Sequence, residues 1–319
     1  MGCMVFSRSA VIRGVGTTHY KVSRLFTKQK ALPIAALLTG AIVWGLIWFP
    51  FRVLQEAGIS GETATLITYL SALITGLIAF RSAFREIRQS PLLLLWISLS
   101  AGWTNLAYVL AVIHGEVVRV LLLFYLAPIW TIILSRALLN ERINGYGLLV
   151  MLLSLAGAII MLWHPGSGLP LPQNGAEWLG LSSGFMFAVS NVLARKARYL
   201  SLQIKALGVW AGVVVLALLV TGYTGVTLPT HLDFSGGLLL LLVAVAVFLV
   251  NPVVQYGLSY TSANRAIVIF MFELVVGAVS AYWLADEAVT LREALGGAMI
   301  IAASLLSGQL EQVAQEKTV

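Results

Sequence analysis

Ten apolar stretches, most of them near the roughly 20 residues that cross a hydrocarbon core of about 30 Å, divide this sequence. They fall near 33–55, 62–80, 91–113, 116–139, 146–163, 176–195, 202–222, 236–258, 262–285 and 291–310, and are called segments 1 to 10. Breaks rich in turn residues separate them, such as "QEAGISGE", "HPGSGLPLPQNG" and "TGYTGVTLPTHLDFSGG". Runs such as "GLLLLLVAVAVFLV" are apolar on every side, whereas a barrel strand alternates. A chain that is 59% hydrophobic and 10% charged has more apolar surface than a soluble fold can hide. The expected fold class is therefore an all-α integral membrane protein with ten transmembrane helices, its partner the lipid bilayer.

Orientation follows from Lys and Arg, which concentrate on the cytoplasmic side. The first 30 residues carry Arg8, Arg13, Lys21, Arg24, Lys28 and Lys30 with no acid. They have no continuous apolar run, so a basic tail over 1–32 is expected rather than a cleaved signal. Loops after segments 2, 4 and 6 hold Arg81, Arg85 and Arg88, then Arg136 and Arg142, then Arg195, Lys196, Arg198 and Lys205. Alternate loops hold almost none, which places both termini, with a short tail over 311–319, in the cytoplasm of a cell whose inner (plasma) membrane the chain crosses. This bias accounts for the net charge of +7 and leaves no reason to infer a nucleic-acid partner.

The chain also repeats itself. "APIWTIILSRALLNE" ends at Glu141 and "ELVVGAVSAYWLADE" at Glu287, 146 residues later. The same shift lays Asn105 on Asn251 and Arg119 on Arg265, and a shift of 144 lays Arg52 on Lys196. Polar matches in an apolar background point to duplication, with repeats over 33–163 and 176–310. Five segments is an odd number, so the second repeat enters the membrane from the opposite side. Two inverted five-helix repeats have two equivalent arrangements, which is the basis of alternating access.

Candidate site residues are the polar groups at depth. Glu273 lies about ten residues into segment 9, roughly 15 Å deep. Substrate or proton coupling and a structural, hydrogen-bonded carboxyl are both open readings of such a group. Arg119 with Arg52, and Arg265 with Lys196, are expected near opposite mouths, as anion-attracting gates or as basic side chains snorkelling from helix ends. Glu116 is placed to pair with Arg119. Pro128, Pro50 and Pro252 free the carbonyls of Phe124, Leu46 and Phe248, marking kinks or cavity walls. Asn105 and Asn251 are placed for interhelical hydrogen bonds. Trp44, Tyr108 and Tyr125, with Trp48, Trp103, Phe124, Phe270 and Phe272, concentrate in segments 1, 3, 4 and 9 and fit either packing or an aromatic cavity. Segments 5 and 10, rich in small residues, read as packing helices.

These motifs resemble a known family. "WGLIWFPFR", with Trp44, Gly45 and Arg52, is similar to the first-helix signature of the EamA family in the drug/metabolite transporter superfamily. Pro128 followed by Glu141 resembles its fourth-helix signature, and Glu273 with Glu287 its ninth, over residues 33–310. Leu274 departs from the pattern, which has proline after the glutamate. The resemblance implies export of small organic metabolites or drugs, amino acids among them, and proton coupling is compatible with it. Other classes fit less well. The aspartates, Asp233 and Asp286, lie at or beyond segment edges, and His19, His114, His164 and His231 lie in the tail or at segment ends. With Cys3 as the single cysteine and no HExxH, neither a metal site nor a cofactor is expected. A channel would repeat one pore ring by rotation; a receptor or scaffold stays open as the alternative.

Overall fold

The computed structural model describes residues 15–115, 117–163, 171–224, 234–284 and 290–307; for 15–30, 112–113, 117–118 and 224 the backbone alone is described. Cys3, Glu116, His164, His231, Asp233, Asp286, Glu287 and the 311–319 tail lie outside these residues.

The described chain is helical throughout. Segment 1 forms α1 (Val15–Leu46) and α2 (Trp48–Glu56), so the helix starts well before the expected boundary, within the basic tail. α3 (Gly61–Ala79) and α4 (Pro91–His114) are segments 2 and 3, joined by a 3-10 stretch over 81–89. Segment 4 is broken into α5 (Val117–Phe124) and α6 (Ala127–Leu139). Then follow α7 (Gly145–Leu162), α8 (Gly175–Lys196), α9 (Leu202–Thr224) and α10 (Phe234–Tyr260). Segment 9 is broken into α11 (Ala263–Phe270) and α12 (Phe272–Leu284), and α13 (Leu291–Leu306) is segment 10.

Local chemistry fixes these ends. Ser60, Asn144 and Asn174 accept N-cap hydrogen bonds from Thr63, Gly147 and Glu177, and Thr290 with Glu293 forms a reciprocal capping box. Asn140, at φ 55°, ends α6 in the left-handed conformation.

Eight stretches are long and apolar enough to cross a membrane: Ala31–Glu56, Gly61–Ala79, Pro91–Ala111, Arg119–Leu139, Gly145–Leu162, Leu202–Tyr223, Phe234–Tyr260 and Ala263–Leu284. The two expected segments outside this set have physical reasons. α13 is 16 residues long. α8 carries Glu177, Asn191, Arg195 and Lys196, and it packs against α4, α5, α6, α10 and α11. A helix enclosed by protein need not be apolar all round.

Packing follows a pattern. α4 lies against α8 and α9, and α10 against α1 and α3; α3 meets α9, and α7 meets α13. α8 accompanies both pieces of segment 4, and α1 both pieces of segment 9. Backbones approach closely where glycine removes the side chain, as membrane helices without a hydrophobic drive between them require. A Cβ at Gly157 or Gly296 would fall 2.6 or 2.4 Å from the other's carbonyl oxygen, which joins α7 to α13 as packing helices. A Cβ at Gly212 would lie 1.8 Å from the Ser98 carbonyl oxygen. Gly212→Val should therefore force α9 away from α4, and size-exclusion of detergent extracts should show loss of the monodisperse protein; a normal profile would contradict this packing. Beside that contact Phe80, Trp210 and Phe248 stack at 5.4 to 6.3 Å, filling the space between α3, α9 and α10.

Candidate functional site

The site grows from two helix breaks in equivalent positions. Segment 4 is interrupted at Tyr125–Leu126, where tightened bonds run from the Leu126 N–H to the Leu123 carbonyl (3.3 Å) and from the Ile129 N–H to Leu126 (3.0 Å). Pro128 sits in the first turn of α6 and offers no N–H to the Phe124 carbonyl. α8 covers that oxygen, since a Cβ at Gly184 would stand 2.3 Å from it. Segment 9 is interrupted at Met271, 146 residues after Tyr125, and the Leu274 N–H turns back to the Met271 carbonyl at 3.1 Å. The second break thus forms without the proline that Leu274 replaces, by tightening of the same turn. Segment 1 breaks at Ile47, three residues before Pro50. Pro252, by contrast, lies inside the uninterrupted α10.

Breaking segment 9 has an electrostatic result. Glu273 becomes a first-turn residue of α12, and the unpaired N–H groups of a helix start favour a carboxylate. The Tyr125 hydroxyl hydrogen-bonds to Glu273, and Tyr108 stands close enough to feel its charge. Glu273 is partly covered, with neighbours on either side. Around it run rings in contact: Tyr108 on Phe124 at 5.3 Å, Phe124 on Tyr125 at 5.2 Å, Phe124 on Phe187 at 5.4 Å, and Phe187 on Phe270 at 5.6 Å. Phe124 and Phe270 are 146-residue counterparts meeting on one ring. Phe187 of α8 was not among the sequence candidates; it has no polar register partner to mark it. The surroundings of Glu273 are not symmetric, for the same shift lays it on Ala127 and Tyr125 on Met271.

Other candidates fall elsewhere. Asn105 accepts from the Tyr69 hydroxyl at 2.8 Å, joining α3 to α4, and donates to Ala101 within α4. Asn251 is buried and donates to the Val247 carbonyl of its own helix. Trp44 packs between the cluster containing Tyr69 and Trp210 and the cluster containing Ala41 and Phe270. Trp48 donates to Ser280 at 2.9 Å, tying α2 to α12, and Trp103 donates to Ser182.

The four cations sit in unlike surroundings. Arg119 is buried and grips Glu177 through Nε (2.8 Å) and Nη2 (3.0 Å), with a further bond to the Leu171 carbonyl. Its partner Glu177 was not among the sequence candidates. Glu177 also accepts from the Gln173 N–H and the Asn174 amide. Arg265 is likewise buried. Arg52, however, is exposed and meets Glu56 at 3.4 Å within α2, and Lys196 is exposed; these two have the surroundings of ordinary helix-end cations. The basic residue engaged at the Lys196 end is Arg195, which donates to Glu141 at 3.3 Å and to the Ser259 carbonyl. Lys205, counted above as a loop residue, is fully buried in α9 and bonds to the Ser259 hydroxyl. Four residues into "LQIKALGVW", its position inside an apolar run is the signal that would have found it.

Among the described residues no cluster of His, Cys, Asp or Glu could hold a metal ion. Comparison with known proteins gives a consistent outcome. The profile of the EamA-like transporter family matches residues 31–163 and again 174–309. A protein described as an uncharacterized transporter from Archaeoglobus fulgidus is 27% identical over 277 residues, covering 86% of this chain and 95% of that one. A solved crystal structure shares the fold with a TM-score of 0.70 at 16% identity, over 87% of this chain and 96% of the other. With apolar helices that can cross a bilayer and a profile match over both halves, this chain belongs to the EamA-like transporter family.

Proposed function

We propose that this membrane transporter is a secondary carrier that exports a small amine-bearing organic metabolite, amino acids among them, through alternating access of two inverted five-segment repeats. Glu273 is its substrate- or proton-coupling group. The observation that carries this reading is the carboxyl of Glu273 in the first turn of a helix broken in mid-segment, bonded by the Tyr125 hydroxyl and beside Tyr108. An acid in a water-poor, aromatic-walled space selects for a cation or a proton. Arg119 is committed to Glu177, so it is not the group that receives a substrate carboxylate.

Three observations support inverted repeats. Exchanging the two halves maps the helix pairs α4 with α8, α4 with α9 and α8 with segment 4 onto α10 with α1, α10 with α3 and α1 with segment 9. The end of segment 4 meets the start of segment 9 through Ser135 and Asn264, the end-to-start contact that antiparallel counterparts make. Breaks stand at the same register in both.

The test is metabolite profiling of the medium of cells overproducing the protein against cells producing a membrane-inserted Glu273→Ala variant. At least one amine should accumulate with the first and not the second. Identical profiles, with no flux in proteoliposomes, would favour the receptor or scaffold reading. Topology is tested separately in a Cys3→Ser background. Leu171→Cys, exposed beside the start of α8, should react with an impermeant thiol reagent added outside intact cells, and Gln89→Cys should not; the reverse pattern would overturn the cytoplasmic placement of the termini.

A further inference from the structure

The short 3-10 stretch over 81–89 joins two helices long and apolar enough to cross the membrane, α3 and α4, and so lies at the edge of the bilayer. Three residues per turn stack positions three apart on one face, which sorts this stretch into three strips. Ala83 and Glu86 form the inner one: Ala83 is buried in the cluster that holds Leu94, Leu200 and Trp210, and Glu86 accepts from the Ser201 N–H at 2.7 Å. Phe84 and Ile87 form a second strip, exposed and apolar. Arg85 and Arg88 form the third, exposed and basic, and Arg81 stands exposed where the stretch begins.

Glu86 is the one acid in this stretch, and it is engaged by the backbone of the next loop. Among the described residues Arg81, Arg85 and Arg88 make no ion pair. The same holds for Lys196 and Arg198, also exposed, which are brought alongside where the Ser90 and Tyr199 hydroxyls meet at 2.6 Å. Exposed apolar side chains continue from this corner into the bilayer. Ile78 in the last turn of α3, Leu92 in the first turn of α4 and Trp96 one turn further are each more than half exposed. The bias of Lys and Arg among the loops accounts for the number of cations here. It does not account for an apolar strip beside a basic one on a stretch pinned to the loop between α8 and α9.

We propose that this corner is a binding site for an anionic phospholipid. The lipid phosphate rests on Arg85 and Arg88 with Arg198 beside them, and the acyl chains run along Ile78, Leu92 and Trp96. Arginine forks hold phosphate oxygens through short, charge-assisted hydrogen bonds, and a stretch with one basic and one apolar strip lies in the plane of the membrane interface. Free phosphate would satisfy the arginines alone; the apolar strip and the helix surfaces that continue from it favour the lipid. The site stands apart from Glu273 and does not depend on what the protein carries.

The test titrates phosphatidylglycerol into the delipidated full chain in neutral detergent and counts bound lipid by native mass spectrometry. Arg85→Gln with Arg88→Gln should weaken binding by about fivefold for each arginine, about 25-fold for both. Arg136→Gln with Arg142→Gln removes the same charge from exposed positions at and just beyond the end of α6 and should leave the affinity unchanged. Trp96→Ala keeps every charge and should weaken binding several-fold. Inorganic phosphate should not displace the bound lipid, and phosphatidylcholine should bind the wild type and the Arg85/Arg88 variant equally weakly. Full affinity in the Arg85/Arg88 variant, or an equal loss in the Arg136/Arg142 variant, overturns the site. Displacement by inorganic phosphate, or full affinity in Trp96→Ala, overturns a lipid as its ligand.

Discussion

Glu273→Gln should abolish transport driven by a pH gradient while leaving substrate exchange measurable. The amide keeps the shape of the side chain and still accepts the Tyr125 hydroxyl hydrogen bond, but it cannot titrate. A carrier that exchanges a proton for substrate needs that group to change protonation between the half-cycles, so net flux in proteoliposomes should fall to the level of empty vesicles. Counterflow with equal pH on both sides should persist. Tyr125→Phe separates positioning from coupling, since it removes the hydroxyl that orients the carboxyl and leaves the titratable group in place; its flux should fall less than that of the glutamine variant and keep its pH dependence. Full gradient-driven flux in a well-inserted Glu273→Gln protein would rule out coupling at this residue.

The largest stability effect is expected at Arg119. Its side chain and that of Glu177 are 8% and 3% exposed, so Arg119→Ala leaves a covered carboxylate without its cation. Removing one member of a buried pair costs about 3–5 kcal/mol, enough to lower the melting temperature in detergent and the yield of inserted protein. Replacing both members, as Arg119→Met with Glu177→Gln, removes the stranded charge and should recover most of the loss. If the double variant were no more stable than Arg119→Ala, the pair would not be the source of the effect. Arg52→Ala is the contrast, because its exposed pair with Glu56 is of the kind that contributes about 0–1 kcal/mol.

The apolar periodicity made the helices legible, because lipid imposes the same requirement on each of them, and the prolines at 50 and 128 marked two of the three breaks to within a few residues. The third break was hidden because Leu274 carries no such mark and the tightened turn at Met271 depends on its surroundings. Glu273 was legible by depth alone. Its partners were not, since Tyr125 and Phe187 reach it or its ring neighbours only once α8 and α12 are packed around α5. The Glu177 partner of Arg119 could not be read for the same reason: it lies 58 residues away in the chain, while Glu116, the sequence neighbour placed to pair with Arg119, lies outside the described residues. The register of 146 residues located equivalent positions in the two halves, yet it did not say that Arg52 would be exposed and Arg119 buried, because burial depends on which helix covers each site.

The polarity of α8 bears on how the chain is made. A helix carrying a glutamate, an asparagine and two basic residues gains little from lipid on its own, since each charged side chain near the middle of a helix opposes insertion by about 2.5–3.5 kcal/mol and less toward the ends. Segment 4 leaves the ribosome first, and Glu177, whose carboxylate holds Arg119 in the finished fold, follows 58 residues later. Both problems are solved together if α8 is received laterally by α4, α5 and α6 rather than by lipid. Membrane integration of the second half is therefore conditional on the first half being already in place, and a chain truncated after Lys196 should hold α8 in the bilayer only when segments 3 and 4 precede it.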